Sequence, residues 1–154
     1  MSQTEPFPPV PDEPVVDMGP LPGLLFHALR RAQAVVQDDL QAELGPEDMR
    51  GLTFAMLVVL ARNPGLRQNQ LGFALGIQTT NLVPLIDELE RMGLAERRVV
   101  PGDRRAKGLF ATRLGAETLA RLEARAAAHE ARMVARLGPE GRRELVSLLR
   151  RLVG

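Results

Sequence analysis

Apolar residues recur at three- and four-residue spacing along most of this chain, and the pattern turns strand-like in one place only. From Pro22 to about Glu43, Leu25, Ala28, Leu29, Ala32, Val36 and Leu40 form one stripe, which predicts a long amphipathic helix. Gly45-Pro46 breaks it, and Leu52 to Ala61 follows as a segment apolar nearly all round, a helix suited to the centre of a domain. After the turn Asn63-Pro64-Gly65, two shorter helical patterns run from Arg67 to Leu75 and from Gln78 to Met92, separated by Gly76. Leu94 to Val100 then reads as a strand, Pro101-Gly102-Asp103 as a turn and Lys107 to Ala111 as the returning strand. Two more helical patterns, Leu114 to Leu137 and Glu140 to Val153, are divided by Gly138-Pro139. Leu119, Leu122, Ala126, His129, Met133 and Leu137 line the first, and Leu145, Leu148, Leu149 and Leu152 the second.

The order helix, turn, helix, hairpin over residues 66–112 predicts a winged helix-turn-helix in a mainly α (α+β) fold. Leu71, Leu75, Ile77, Leu82 and Leu89 can converge between its two helices, with Leu85 and Ile86 on the same face of the second. Small Gly72 and Ala74 let the helices approach, and Gly76 supplies a turn that needs a positive φ. Gln78, Thr79, Thr80 and Asn81 are left facing outward at the start of the second helix. All are short hydrogen-bonding groups able to reach base edges or phosphates in a major groove. Gln78 stands where a stronger capping side chain is common. Pro84 removes one backbone hydrogen bond from the helix, so a kink or a tightened first turn is expected.

Charge sharpens this picture. The 154-residue chain has a net charge of only +1, yet Arg91, Arg97, Arg98, Arg104, Arg105 and Lys107 face only Glu96 and Asp103 over residues 91–107. Arg104 and Arg105 follow the tight turn and would sit at a hairpin tip, within reach of an adjacent minor groove or its phosphates. Adjacent strand residues face opposite sides, so Arg97 and Arg98 cannot both point to a groove. The candidate set for DNA contact is Arg67, Gln68, Gln78, Thr79, Thr80, Asn81, Arg104, Arg105 and Lys107. A solvated helix start and a solvated turn are the structural alternatives.

Other chemistry is sparse. With no Cys there is neither a disulfide framework nor a thiolate metal site. Two histidines about a hundred residues apart, without clustered acids, make no metal site. No nucleophile elbow, phosphate-binding glycine loop or paired-acid arrangement is present, so no catalytic residue, metal or cofactor is assigned. His129, on the stripe of its helix, reads as packing. No stretch is long and apolar enough to span a bilayer and no secretory signal opens the chain, which predicts a cytoplasmic protein without a membrane partner.

His27, Arg30 and Arg31 fall at spacings of three and four on the first helix, beside apolar Phe26. With Met56 and Phe73 they could bind a carboxylate, phosphate or acyl thioester carrying an apolar body. The alternative, favoured by the residues alone, is an interfacial histidine with arginines paired to acids. Residues 1–20 hold Pro6, Pro8, Pro9, Pro11, Pro14 and Pro20 with four acids and no base. They read as an acidic arm, which either reaches across a partner subunit or, as the composition favours, is a mobile tail.

The run from Leu85 to Leu119 resembles the MarR family of bacterial transcriptional regulators. It contains Leu89-Glu90-Arg91-Met92-Gly93-Leu94, then Asp103-Arg104-Arg105, then Ala111-Thr112-Arg113-Leu114-Gly115. The resemblance implies a homodimer in which helices 21–44 and 114–153 dimerise around a winged helix-turn-helix at 46–112, all within one domain at 21–154. Excess apolar surface on the terminal helices points to the same self-association. It further implies a repressor of a pseudo-palindromic operator in double-stranded DNA, released by a small aromatic effector bound between the dimerisation helices and the DNA-binding lobe. Leu21 to His27 and Asn81 to Ile86 resemble members that control breakdown of plant-derived aromatic acids, some sensing hydroxycinnamoyl-CoA thioesters, which names an aromatic acid or such a thioester as the effector. A winged helix kept only for contact with another protein is the alternative function.

Overall fold

The computed structural model describes residues 16–45, 49–100 and 103–154, with side chains at all of these except 100 and 103–106. Most of the acidic arm and the turn residues Pro101 and Gly102 lie outside the described residues, as does Pro46 of the expected first break. The chain divides into two compact units, Met1–Ala34 and Val35–Gly154.

In the first unit the expected helix from Pro22 starts later. Leu21–Gly23 form a 3₁₀ turn with a proline in its first positions, Leu24 is extended (φ −88°, ψ 132°), and α1, Leu25–Leu44, begins beyond it. Fixed proline φ angles favour a tight turn there, and the extended Leu24 resets the chain direction before the helix. The α1 helix runs on into the second unit, where Leu44 is almost wholly buried.

The second unit is built around α2, Gly51–Arg62, whose Met56, Leu57 and Leu60 have no exposed surface. This is the outcome expected of a helix apolar all round, and each fully buried Leu or Met contributes about 1.5–3 kcal/mol. α3, Gln68–Leu75, packs against it, and α4, Thr79–Arg91, packs against α3; Leu71, Leu82, Ile86 and Leu89 join the same core with zero exposure. The strands β1, Ala95–Val100, and β2, Asp103–Ala111, pair antiparallel from Ala95↔Ala111 to Val99↔Lys107. Asp103 pairs with Val100 rather than standing in the turn as expected, so β2 opens four residues before Lys107. Leu66 adds a single bridge to Leu109, fixing the loop after α2 to the hairpin.

The last helical segment, α5, Arg113–Val153, is two helices that meet at a kink, where Gly138 (φ 72°, ψ 157°) precedes Pro139. The break falls where Gly-Pro predicts it. Leu119, Leu122, His129 and Met133 are buried, whereas Leu137, Leu145, Leu148 and Leu152 are between 41% and 59% exposed.

Two polar devices hold α5 in place. Thr112 caps its start: the hydroxyl accepts from the Gly115 N–H at 2.9 Å and donates to the Gly93 carbonyl at 2.6 Å, while the Thr112 N–H donates to the Leu94 carbonyl at 3.0 Å. A Cβ on Gly115 would lie 2.1 Å from the Leu94 oxygen. The second device ties α5 to the later half of α1. His129 Nδ1 is 2.7 Å from an Asp39 carboxylate oxygen, Arg132 Nη2 donates to the same oxygen at 2.9 Å, and Arg132 also pairs with Glu43 at 2.8 Å. His129 therefore sits on the packed stripe as expected, but through a charge-assisted hydrogen bond that periodicity cannot register. Hydrogen bonds from Arg132, and then from His129, hold the Asp39 carboxyl down at about 2 from its ordinary 3.8.

Two outcomes are expected, both read by denaturation at fixed protein concentration. Thr112→Ala costs about 1–2 kcal/mol. Gly115→Ala costs more, about 3 kcal/mol, because the Leu94 backbone must move. Equal, small effects from the two would contradict the close approach. The Asp39 carboxyl takes up its proton later in the folded chain than in the unfolded one. Its contribution is therefore complete above pH 3.8 and fades as pH falls towards about 2. Asp39→Asn should be less stable at neutral pH and lose that acid-limb slope; an unchanged slope would contradict the network.

Candidate nucleic-acid interface

The angle between α3 and α4 is set by a few contacts. Gly76 takes a left-handed conformation (φ 65°, ψ 30°) and ends α3, and the Ile77 N–H donates to the Gly72 carbonyl at 2.9 Å. A Cβ on Gly72 would lie 2.8 Å from the Ile77 oxygen, so only glycine permits this approach. Ala74, expected to share that role, is exposed, because its position on α3 faces away from α4. Leu75 and Ile77 are half-buried against the core.

The outcome is a helix start pushed into solvent. Gln78 is the N-cap of α4 with an extended backbone and no side-chain capping bond, and Gln78, Thr79, Thr80 and Asn81 are all exposed. Pro84 leaves α4 continuous to Arg91, and the first turn tightens as expected, with the Asn81 N–H donating to the Gln78 carbonyl at 2.9 Å. No acid lies in this first turn, so unpaired N–H groups and the positive end of the helix dipole are open to an anion. Val83 and Pro84 are exposed on the same helix, an apolar pair absent from the sequence-based candidate set. Beside α4, Arg67 is the exposed N-cap of α3, its backbone N–H donating to Gln70 Oε1 at 2.9 Å, and Gln68 is half-buried.

The hairpin is less free with its charge than a count along the sequence implies. Arg97 pairs with Glu90 and, at 2.8 Å, with Asp87, both on α4. Arg98 faces the other side, 3.2 Å from Glu96 and with its guanidinium 4.2 Å from the Phe110 ring centre. Arg91 lies 3.7 Å from Glu88. A window opening at residue 91 leaves out Asp87, Glu88 and Glu90, which α4 brings to the same place. Lys107 is exposed on β2, and Arg104 and Arg105 lie on β2 beyond the hairpin turn.

The candidate ligand residues fall in both units. In the first, His27 is 8% exposed and its Nε2 has no hydrogen-bond partner, which is costly for a buried polar atom. The Phe26 ring meets His27 edge-on with centroids 6.3 Å apart, and Arg30 and Arg31 are exposed. In the second, Met56 is a core residue without exposure and Phe73 is 92% exposed. Among the described residues no group of three or more His, Asp or Glu is placed to hold a metal.

Residues 47–106 match the MarR family. A putative transcriptional regulatory protein for the hcr operon of Thauera aromatica is 34% identical over 135 residues, covering 87% of this chain and 81% of that one. Among solved structures, the transcriptional repressor CouR bound to a 23-mer DNA duplex superimposes with a TM-score of 0.83 at 37% identity. It covers 90% of this chain and 99% of its own. CouR bound to p-coumaroyl-CoA gives 0.82 at 35% identity, with 90% and 97% covered.

Proposed function

The chain belongs to the MarR family of transcriptional regulators, and from that premise we propose that it is a homodimeric, effector-controlled repressor that binds duplex DNA. The observation that carries this reading is the exposed, acid-free first turn of α4, Gln78 to Asn81, offered to solvent by the Gly72 approach and the Gly76 turn. This turn enters a major groove, where its amides and hydroxyls meet base edges and Val83 and Pro84 suit a thymine methyl. Arg67 and Gln68 at the start of α3, with Arg104, Arg105 and Lys107 of the wing, hold the flanking backbone. The exposed leucines of the second half of α5 form part of a self-association surface. Two-fold symmetry then sets half-sites about one helical turn apart. The protein acts by binding rather than catalysis, on chromosomal DNA in the cytoplasm.

The effector is an aromatic acyl compound, by likeness to CouR, whose structure holds p-coumaroyl-CoA. The unpartnered His27 Nε2 is the polar atom that a phenol or carbonyl oxygen satisfies, and Arg30 and Arg31 supply positive charge for a carboxylate or phosphate.

A duplex selected from a random pool should bind with an affinity that falls steeply as salt rises. Arg104→Ala and Arg105→Ala should each weaken it and shallow the log–log salt slope by about 0.9. Salt-independent binding, or none, would instead favour a winged helix used for protein contact. A melting-temperature rise with p-coumaroyl-CoA is expected to grow with concentration, reaching the equivalent of about 2.7 kcal/mol at a hundredfold excess over Kd. His27→Gln should diminish it. No rise with the thioester or with the free acid would reject this class of effector.

A further inference from the structure

Arg97 stands beside the DNA-reading elements and looks, by sequence, like another cation for phosphates. Its surroundings argue otherwise. Its backbone N–H donates to Glu90 Oε1 at 2.8 Å, its Nη1 pairs with the other oxygen of the same carboxylate, and its Nη2 reaches Asp87 Oδ1 at 2.8 Å. Both oxygens of Glu90 are thus engaged by one residue. The Arg97 side chain is only 25% exposed, and its cross-strand partner is Leu109, itself buried. This face of β1 is turned to the body of the protein, not to a groove.

We propose that Arg97 is a positioning residue that clamps the base of the wing to the second half of α4 through Glu90 and Asp87, so that recognition helix and wing meet DNA as one rigid body. Between α4 and β1 the chain turns at Gly93 with φ 71°, and the Leu94 N–H closes on the Leu89 carbonyl at 2.9 Å. That turn fixes where β1 starts. Leu94 and Ala95 anchor the strand in the core, but from residue 96 outward it leaves the apolar contacts, and Val99 is 54% exposed. Arg97 lies at this point of departure. A planar guanidinium with two carboxylates and a backbone bond on one side resists rotation of the hairpin about its base. The single guanidinium also offsets part of the negative charge of Asp87 and Glu90, which would otherwise repel phosphates more strongly.

The proposal rests on the DNA-binding reading, and its test separates the two. Glu90→Gln removes a negative charge near DNA. If Arg97 were a phosphate ligand, this change would free it and tighten binding, and Arg97→Lys, which keeps the charge, would be tolerated. A clamp reverses both outcomes. Arg97→Lys and Glu90→Gln should each weaken duplex binding by about fivefold, the effect of one well-placed ion pair, with the salt slope unchanged. A second readout needs no DNA. The chain has no cysteine, so spin labels can be placed at Val83→Cys on α4 and Val99→Cys on β1. The distance distribution between them should be narrow in the parent and broaden with either substitution. Tighter binding by Glu90→Gln, duplex binding by Arg97→Lys equal to that of the parent, or an unbroadened distribution would each overturn the clamp. Absence of salt-dependent binding by the parent would overturn the functional reading, and the label distances would still decide whether Arg97 holds the wing.

Discussion

The junction at Leu94 ties α4, the hairpin and α5 together. Its N–H is taken by the end of α4, its carbonyl by Thr112 at the start of α5, and its side chain is buried with Leu57, Leu89 and Leu109. One residue thus closes α4, opens β1 and receives the cap of the last helix. The glycines on either side follow from this crowding. Gly93 needs a left-handed backbone to turn the chain, and Gly115 must lack a Cβ to let α5 approach the Leu94 oxygen. The family motifs Leu-Glu-x-x-Gly-Leu and Thr-x-x-Gly are the two halves of this one contact.

Electrostatics is arranged around the same point. Three of the arginines that a linear count adds to the hairpin's positive charge are engaged by acids in the fold. Arg91, Arg97 and Arg98 pair with carboxylates of α4 and β1 and serve shape. Arg67, Lys107 and the wing arginines 104 and 105 are the cations assigned to DNA in the proposed function. A net charge near zero is compatible with nucleic-acid binding when acids and bases are sorted in this way. The Asp39, His129, Arg132 and Glu43 network does comparable work far along the chain, tying the later half of α1 to α5.

Much of the fold was legible because it rests on periodicity and punctuation. Buried Leu82, Ile86 and Leu89 recur at helical spacing, Gly76 and Gly138 mark breaks by their positive φ, and the strand pair follows the one departure from helical spacing. Less visible were features that need the third dimension. The delayed start of α1 depends on an extended Leu24 between prolines and helix, and Asp103 joins β2 because pairing continues past the residues that look like a turn. The polar start of α4 was readable from residue type and position. The engagement of Arg97 by acids seven and ten residues upstream was not, nor was the orphan nitrogen of His27, since hydrogen-bond accounting requires coordinates.

In the proposed function, duplex DNA and an aromatic acyl effector bind in opposition. Such coupling is reciprocal: whatever factor the effector takes from DNA affinity, DNA must take from effector affinity. The direct measurement is calorimetric titration of p-coumaroyl-CoA into the free protein and into its complex with a selected duplex, beside a DNA titration with and without the thioester. Thioester binding to the complex should be weaker than to the free protein, by the same factor that the thioester weakens DNA binding. Equal thioester affinity for free and DNA-bound protein would contradict it.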